Sequence, residues 1–262
     1  MGLFDSFKKK ETKQNYESKI LLAMPLFTDG NRYNLDLIFK CLKDDWGLNV
    51  TDFDGNDETA VFKVDGEMVA ITFMPIQIPL NDLENTAKFA YNWNNAIEEL
   101  KNTDGHAIVS IMSVTKSTKE RYQILSKILC SILSTSESIG IYQGNQTLLI
   151  PKNQYLDYSQ TIKDGGIPVP LWIYIGIRRP EQGNSIYTYG LKDFNKLEME
   201  IVNSKLEIEE LYNFILNITS YVIQNDIIFK SGETLGYTEN QKIPIISSKG
   251  EFLEETTLKL EI

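Results

Sequence analysis

Between Ile186 and Ile201 the chain reads IYTYGLKDFNKLEMEI, and no other stretch constrains the fold as strongly. It opens with strand-like alternation, turns at Gly190, crosses a short polar segment, and alternates again through Leu197, Glu198, Met199, Glu200 and Ile201. A period of two places successive side chains on opposite sides of a sheet. The second arm therefore has one apolar face and one face carrying two carboxylates. The C-terminal half is expected to pack on the apolar face and to leave the acidic face in water.

The flanking residues support a sheet at this point. Upstream, Leu171 to Arg178 (LWIYIGIR) reads as a strand buried on both faces, joined through a Pro180 to Asn184 loop as a hairpin. Downstream, Ser204 with Glu207 predicts a capped helix to about Ile223, with the stripe Ile208, Leu211, Tyr212, Ile215, Thr219 and Val222. Lys242 to Ser247 and Thr256 to Ile262 are strand-like and separated by a charged turn.

The N-terminal half alternates strands with helices. Ile20 to Phe27 reads as a buried strand and Asn31 to Trp46 as a helix ended by Gly47. Two or three short strands follow, drawn from Leu48 to Phe53, Ala60 to Val64 and Glu67 to Met74, the last two joined by an Asp65-Gly66 hairpin turn. Asn81 and Glu84 predict the cap of one helix over 81–102, and Ala107 to Val114 is a strand. The order β-α-β-β-α-β suggests a ferredoxin-like sandwich with both helices on one face of the sheet. Ser117 with Glu120 opens a further helix to Ser136, striped by Leu125, Ile128, Leu129, Ile132 and Leu133. Ile139 to Tyr142 reads as a short strand and Asn153 to Lys163 as a helix or loop.

The fold class expected is α+β, with antiparallel or mixed sheets and helices packed on one face. No repeat or linker divides the chain, and its parts are read as a leader over 1–19, an N-terminal subdomain over 20–137 and a C-terminal one over 138–262. In the leader, Leu3, Phe4 and Phe7 precede Lys8 to Lys10, an amphipathic pattern suited to a tail or packing arm. Met1, Gly2 and Ser6 formally satisfy the myristoylation pattern, a short motif that carries little weight.

Charge restricts the partners. A net charge of −10 and a pI of about 4.8 disfavour nucleic-acid phosphates and anionic lipid and favour a basic protein partner. Residues 181–262 carry seven lysines and fourteen acids, whereas the first nineteen residues are net positive. The only cysteines, Cys41 and Cys130, lie on the apolar sides of helical stretches and read as core residues of a cytoplasmic protein. No secretory signal pattern or membrane-length apolar run occurs.

Motifs for chemistry are sparse. The one histidine, His106, has neither cysteine near it in sequence. Asp52, Asp54 and Asn56 resemble the start of a calcium loop, but Asp57 stands where Gly is needed and Lys63 where a bidentate Glu belongs. Gly165-Gly166 and Gly183 lack the companions of a phosphate loop. No metal site or cofactor is expected. The remaining candidates form a contact surface: Glu198 and Glu200, roughly 7 Å apart along a strand, with Asp193, Tyr187 and Tyr189.

Tyr187 to Ile201, LWIYI at Leu171 to Ile175, SGETLGYTENQKIPIISSKG and the closing TLKLEI together resemble the bacterial proteins grouped as domain of unknown function 4261. The likeness is best over residues 168–262, with GHAIVSIMSV contributing in the N-terminal half. Where that family's pattern has Gly, this chain has Asn195. The resemblance implies a cytosolic bacterial protein and carries no catalytic residues, and some such proteins sit among toxin and immunity gene sets. The expected function is therefore non-catalytic protein binding, of the immunity type, with an acidic surface neutralising a toxin. Two alternatives are an enzyme using Glu198 and Glu200 with His106 or Asp193, and a structural subunit of a larger assembly.

Overall fold

Asp65 and Gly66 both adopt left-handed backbone, φ 47° and 90°, the two-residue turn whose twist matches paired antiparallel strands. This turn joins two strands of the first sheet in a computed structural model that describes residues 20–179, 181–236 and 242–262. The leader read at 1–19, with its myristoylation pattern, lies outside the described residues.

The first sheet contains β1 (Leu21–Thr28), β2 (Val50–Gly55), β3 (Thr59–Val64), β4 (Glu67–Met74), β5 (Thr103–Ile111), β6 (Ser138–Gln143) and β7 (Leu148–Pro151). Its order is β2-β3-β4-β5-β1-β6-β7, antiparallel throughout. Residues 138–151 thus extend the sheet of the N-terminal half by two strands. Along β1, Leu21 and Ala23 enter the main core, while Leu26 enters a second cluster with Leu83, Trp93, Leu100 and Leu149.

Both faces of this sheet are therefore apolar and both are covered, which corrects the expectation of helices on one face. Helices α1 (Leu35–Asp44) and α4 (Thr118–Thr135) contribute to the main core; α2 (Leu80–Ala87) and α3 (Ala96–Leu100) cover the second cluster. The single helix expected over 81–102 is broken. Between α2 and α3 the amides of Ala90, Trp93 and Ala96 each bond three residues back, to Ala87, Ala90 and Trp93, in a run of tight turns. The asparagines there favour turns over helix, and the path buries Trp93 against Gly140. The predicted Asn81 cap is absent, because Pro79 occupies the N-cap position.

The second sheet contains β8 (Tyr174–Arg178), β9 (Asn184–Tyr189), β10 (Met199–Ser204), β11 (Thr234–Gly236), β12 (Lys242–Lys249) and β13 (Thr256–Leu260). Its order is β11-β12-β13-β10-β9-β8, mixed because β10 and β13 run parallel. The anticipated β8–β9 hairpin is present. Its first strand starts later than predicted: Val169–Trp172 form the short helix α7, with proline in its first turn, and Trp172 leaves the sheet to donate its Nε1 hydrogen to Ser126 Oγ at 2.8 Å.

Helix α8 (Ile208–Gln224) packs on β9 and buries Leu211, Ile215, Thr219 and Val222 as its stripe requires. Its N-cap is Glu207 without a side-chain bond; Ser204 Oγ instead accepts from the Leu206 amide at 3.2 Å. The Ser117–Glu120 capping box of α4 does form. That helix is buried nearly all round, as a helix between layers must be. The short helices α5 (Lys152–Asp157) and α6 (Ser159–Lys163) pack against it. No helix among the described residues is long and apolar enough to cross a membrane. The class is α+β, with one antiparallel and one mixed sheet.

Candidate functional site

Glu198 and Glu200 do not form an acidic face in water. Both are buried, at 4% and 0% exposure. Glu198 lies just ahead of β10 and turns inward, accepting from Thr188 Oγ1 at 2.7 Å, the Gly190 amide at 2.8 Å and the Lys192 amide at 3.3 Å. Burial raises its carboxyl above the ordinary value, although these donors oppose the shift. Glu200 lies beneath the turn between β12 and β13, where it pairs with Lys259 Nζ and accepts from the Glu251 and Phe252 amides at 2.9 and 3.1 Å. Burial alone would raise this carboxyl, but the two amides and Lys259 outweigh it and hold the group below its ordinary value.

The other contact residues separate in the same way. Tyr187 is buried, with Phe252 stacked 5.3 Å from it and the Arg178 guanidinium 5.4 Å from its ring centre. Tyr189 is half-buried beneath Lys192 Nζ at 5.2 Å. His106 is buried in the other sheet, its Nδ1 2.9 Å from the Ile76 carbonyl oxygen. The structure therefore does not assemble His106, Glu198 and Glu200 into one site. Cys130 offers no nucleophile, since burial pushes its thiol up to about 12. Among the described residues no group of three or more His, Cys, Asp or Glu could hold a metal ion.

Asp193 does face a cleft. It accepts from Tyr122 Oη and from Gln146 Nε2, both at 2.9 Å, on the turn that follows Gly190. Phe194, next in the chain, stacks on Tyr122 at 4.9 Å and lies 6.0 Å from Trp172. Gly190 at φ 127° and Asn195 at φ 56° give the turn its shape. Asparagine tolerates the left-handed region better than most residues, and glycine adopts it freely, so a family pattern with Gly at this position suits the same turn. Lys196 Nζ donates to Asp226 Oδ1 at 2.8 Å and ties the turn to the chain leaving α8.

The opposite wall is held by a third buried glutamate. Glu67 accepts from Ser113 Oγ at 2.6 Å, from the amides of Thr115 and Lys116 at 2.9 and 2.7 Å, and from the Thr115 hydroxyl. Burial would raise its carboxyl, yet these donors hold it below the ordinary value.

Three lobes of about 420, 250 and 230 Å³ meet at Asn195. The first is polar, with Lys116, Arg121, Lys192 and Asp193 on its walls. The second is apolar, between Leu197, Met199, Val222, Ile228 and Leu258. The third carries Lys119, Lys196 and Asp226 beside Phe194 and Ile228. Among the described residues that line them are five cations, and each has an acid at hand: Glu120 near Lys116 and Lys119, Glu67 near Arg121, Glu255 3.9 Å from Lys192, and Asp226 on Lys196.

These features define an α+β protein whose two sheets support a cleft, polar at one end and apolar at the other. Residues 187–261 match the model of a family described as Domain of unknown function (DUF4261). The matched segment begins inside β9 and includes the 190–196 turn, α8 and β10 to β13; it is shorter than the 168–262 expected. No curated protein and no solved structure matches the chain.

Sequence reasoning missed Glu67, Lys116, Arg121, Leu197 and Ile228. Glu67 did carry a signal, being in phase with the inward-facing Val69 and Ile71, so alternation already assigned a carboxylate to the core side. Alternation put Leu197 on the apolar, packed face, whereas it is 43% exposed, and nothing local marked Lys116, Arg121 and Ile228, which come together from separate elements.

Proposed function

We propose that this is a non-catalytic protein-binding protein of the bacterial cytoplasm, of the immunity type, that meets a basic protein partner through an acidic surface. The supporting observation is the stretch of α1, β2 and β3. Residues 34–65 carry eight carboxylates against three lysines; seven of the eight are exposed and Asp57 is half-buried. Phe53 stands 50% exposed on β2, an edge strand, with its ring against Phe39 at 5.4 Å. An aromatic anchor in a predominantly acidic surround, where Lys63 pairs with Asp52 at 2.8 Å and the other acids outnumber the remaining lysines, suits a partner of opposite charge, with the charges governing the association rate. The bulge in β2 and the left-handed Asp52 disfavour strand-to-strand pairing, so the partner is read as a folded basic surface. Two buried free thiols agree with a reducing compartment.

The test is affinity capture with the tagged full chain, together with co-expression beside the product of the adjacent gene. A complex is expected whose association slows between about 0.05 and 0.5 M salt. The double variant Asp52→Lys, Asp54→Lys should weaken it by about tenfold or more. No complex and no protection from the neighbouring product would discard the reading.

A further inference from the structure

We propose that the part of the first sheet's second face left open by α2 and α3 is a docking surface for the chain's own residues 1–19, with Leu3, Phe4 and Phe7 packed across β3, β4 and β5. Phe53, the anchor of the acidic surface, sits on the α1 side of the sheet against Phe39, so the two surfaces are distinct. Either reading can fail without the other.

The open strip is defined by register. Helices α2 and α3 cover this face only around Leu26, Leu83 and Leu149, while β3, β4 and β5 continue past them. The pairs Val61↔Ala70, Ala70↔Ser110 and Ser110↔Leu22 set four side chains in one row across β3, β4, β5 and β1, and Met68 and Ile108 lie on either side of that row. A sheet face in water is ordinarily polar at such positions. Here five of these six residues are apolar, and none of the five belongs to either apolar cluster. Met68 is 38% exposed and the other four are half-buried. Lys63, in phase with Val61, is held at the sheet edge by Asp52 at 2.8 Å. A contiguous apolar strip of this kind marks a contact surface.

The point at which the chain enters the sheet selects the occupant. Residue 20 leads directly into β1, and Ile20, in phase with Leu22, stands 57% exposed at the margin of the strip. Ahead of it, Leu3, Phe4 and Phe7 have the spacing that places three side chains on one side of a helical turn. The twelve residues from Lys8 to Lys19 are polar apart from Tyr16, so the apolar part of the segment is confined to its far end. Those residues can span up to about 40 Å. The three strand spacings from β1 to β3 amount to about 15 Å. A tether of this length presents its segment at an effective concentration of about 1 mM. The contact is therefore filled in preference to a free partner of similar affinity.

The experiment attaches a nitroxide at Ser6→Cys in the full chain, both native cysteines being buried, and reads by methyl NMR which groups it broadens. Broadening at Leu22, Val61, Met68 and Ile108 is expected, and it should be lost when Phe4→Ser and Phe7→Ser are added. Met68→Glu, at an exposed position, should abolish it as well, with unchanged circular dichroism showing that the fold is retained. No broadening, broadening of the Leu197 and Ile228 methyls instead, or a pattern indifferent to all three substitutions overturns the proposal. So does broadening between spin-labelled and isotope-labelled copies in a mixed sample, which would place the segment on a second copy.

Discussion

Glu67, Glu198 and Glu200 each place a carboxylate where water is excluded, and each binds a different turn: 113–116, 188–192 and 251–252. Their environments push them in different directions, which gives a test. In a carbon-detected NMR titration, Glu198 should protonate above the ordinary 4.5, and Glu67 and Glu200 below it. For the latter two the folded value lies below the unfolded one. The stability they contribute is therefore present above about 4.5 and is lost as pH falls through the folded value. For Glu198 the sign is reversed: ionisation is disfavoured in the folded state, and that cost disappears as pH falls. Glu200→Gln should accordingly flatten the acid limb of the stability curve. Glu200→Ala leaves the Glu251 and Phe252 amides without their acceptor, while Lys259 Nζ keeps the Lys249 carbonyl and the Thr257 hydroxyl, and should cost about 2 kcal/mol in urea denaturation.

Among the elements, strands were the most legible, because a period of two bounded by turn residues is a local signal; β3, β4 and the turn between them could be read directly. Helix caps were less so. Ser117 forms its box, whereas the equally patterned Asn81 and Ser204 do not, because Pro79 and an extended Glu207 occupy the N-cap positions. The broken helix between α2 and α3 follows from packing, since Trp93 reaches its place over β6 only by leaving the helical path. Gly140 makes room for it: an added Cβ would meet the Ile150 carbonyl oxygen at 2.5 Å and the Trp93 ring at 2.8 Å. Gly140→Ala is expected to destabilise by about 2 kcal/mol, read as a lower melting temperature, and to shift Trp93 fluorescence.

In the whole molecule, one apolar cluster extends from Leu21 in the first sheet to Leu260 in the second, with α4 between them. Tyr122 of α4 contacts both Trp172 and Phe194, so the turn at the centre of the cleft rests on the same core as both sheets. Scanning calorimetry should therefore show one cooperative transition, and two resolved transitions would contradict this coupling.

What the sequence determined by itself was local: the strand and helix segments, most of their turns, the α+β class and the acidic balance. Each depends on periodicity or on residues a few positions apart. Which carboxylates see water was decided by the tertiary structure. Glu200 has its roof 51 and 52 residues away, and Glu67 has its donors 46 to 49 residues away. Alternation assigns a side chain to one side of a strand but is silent on what will cover that side. The cleft around Asn195 arises in the same way, from the start of α4, the 190–196 turn and the end of α8, which share no pattern along the chain and meet only because the two sheets pack around a common core.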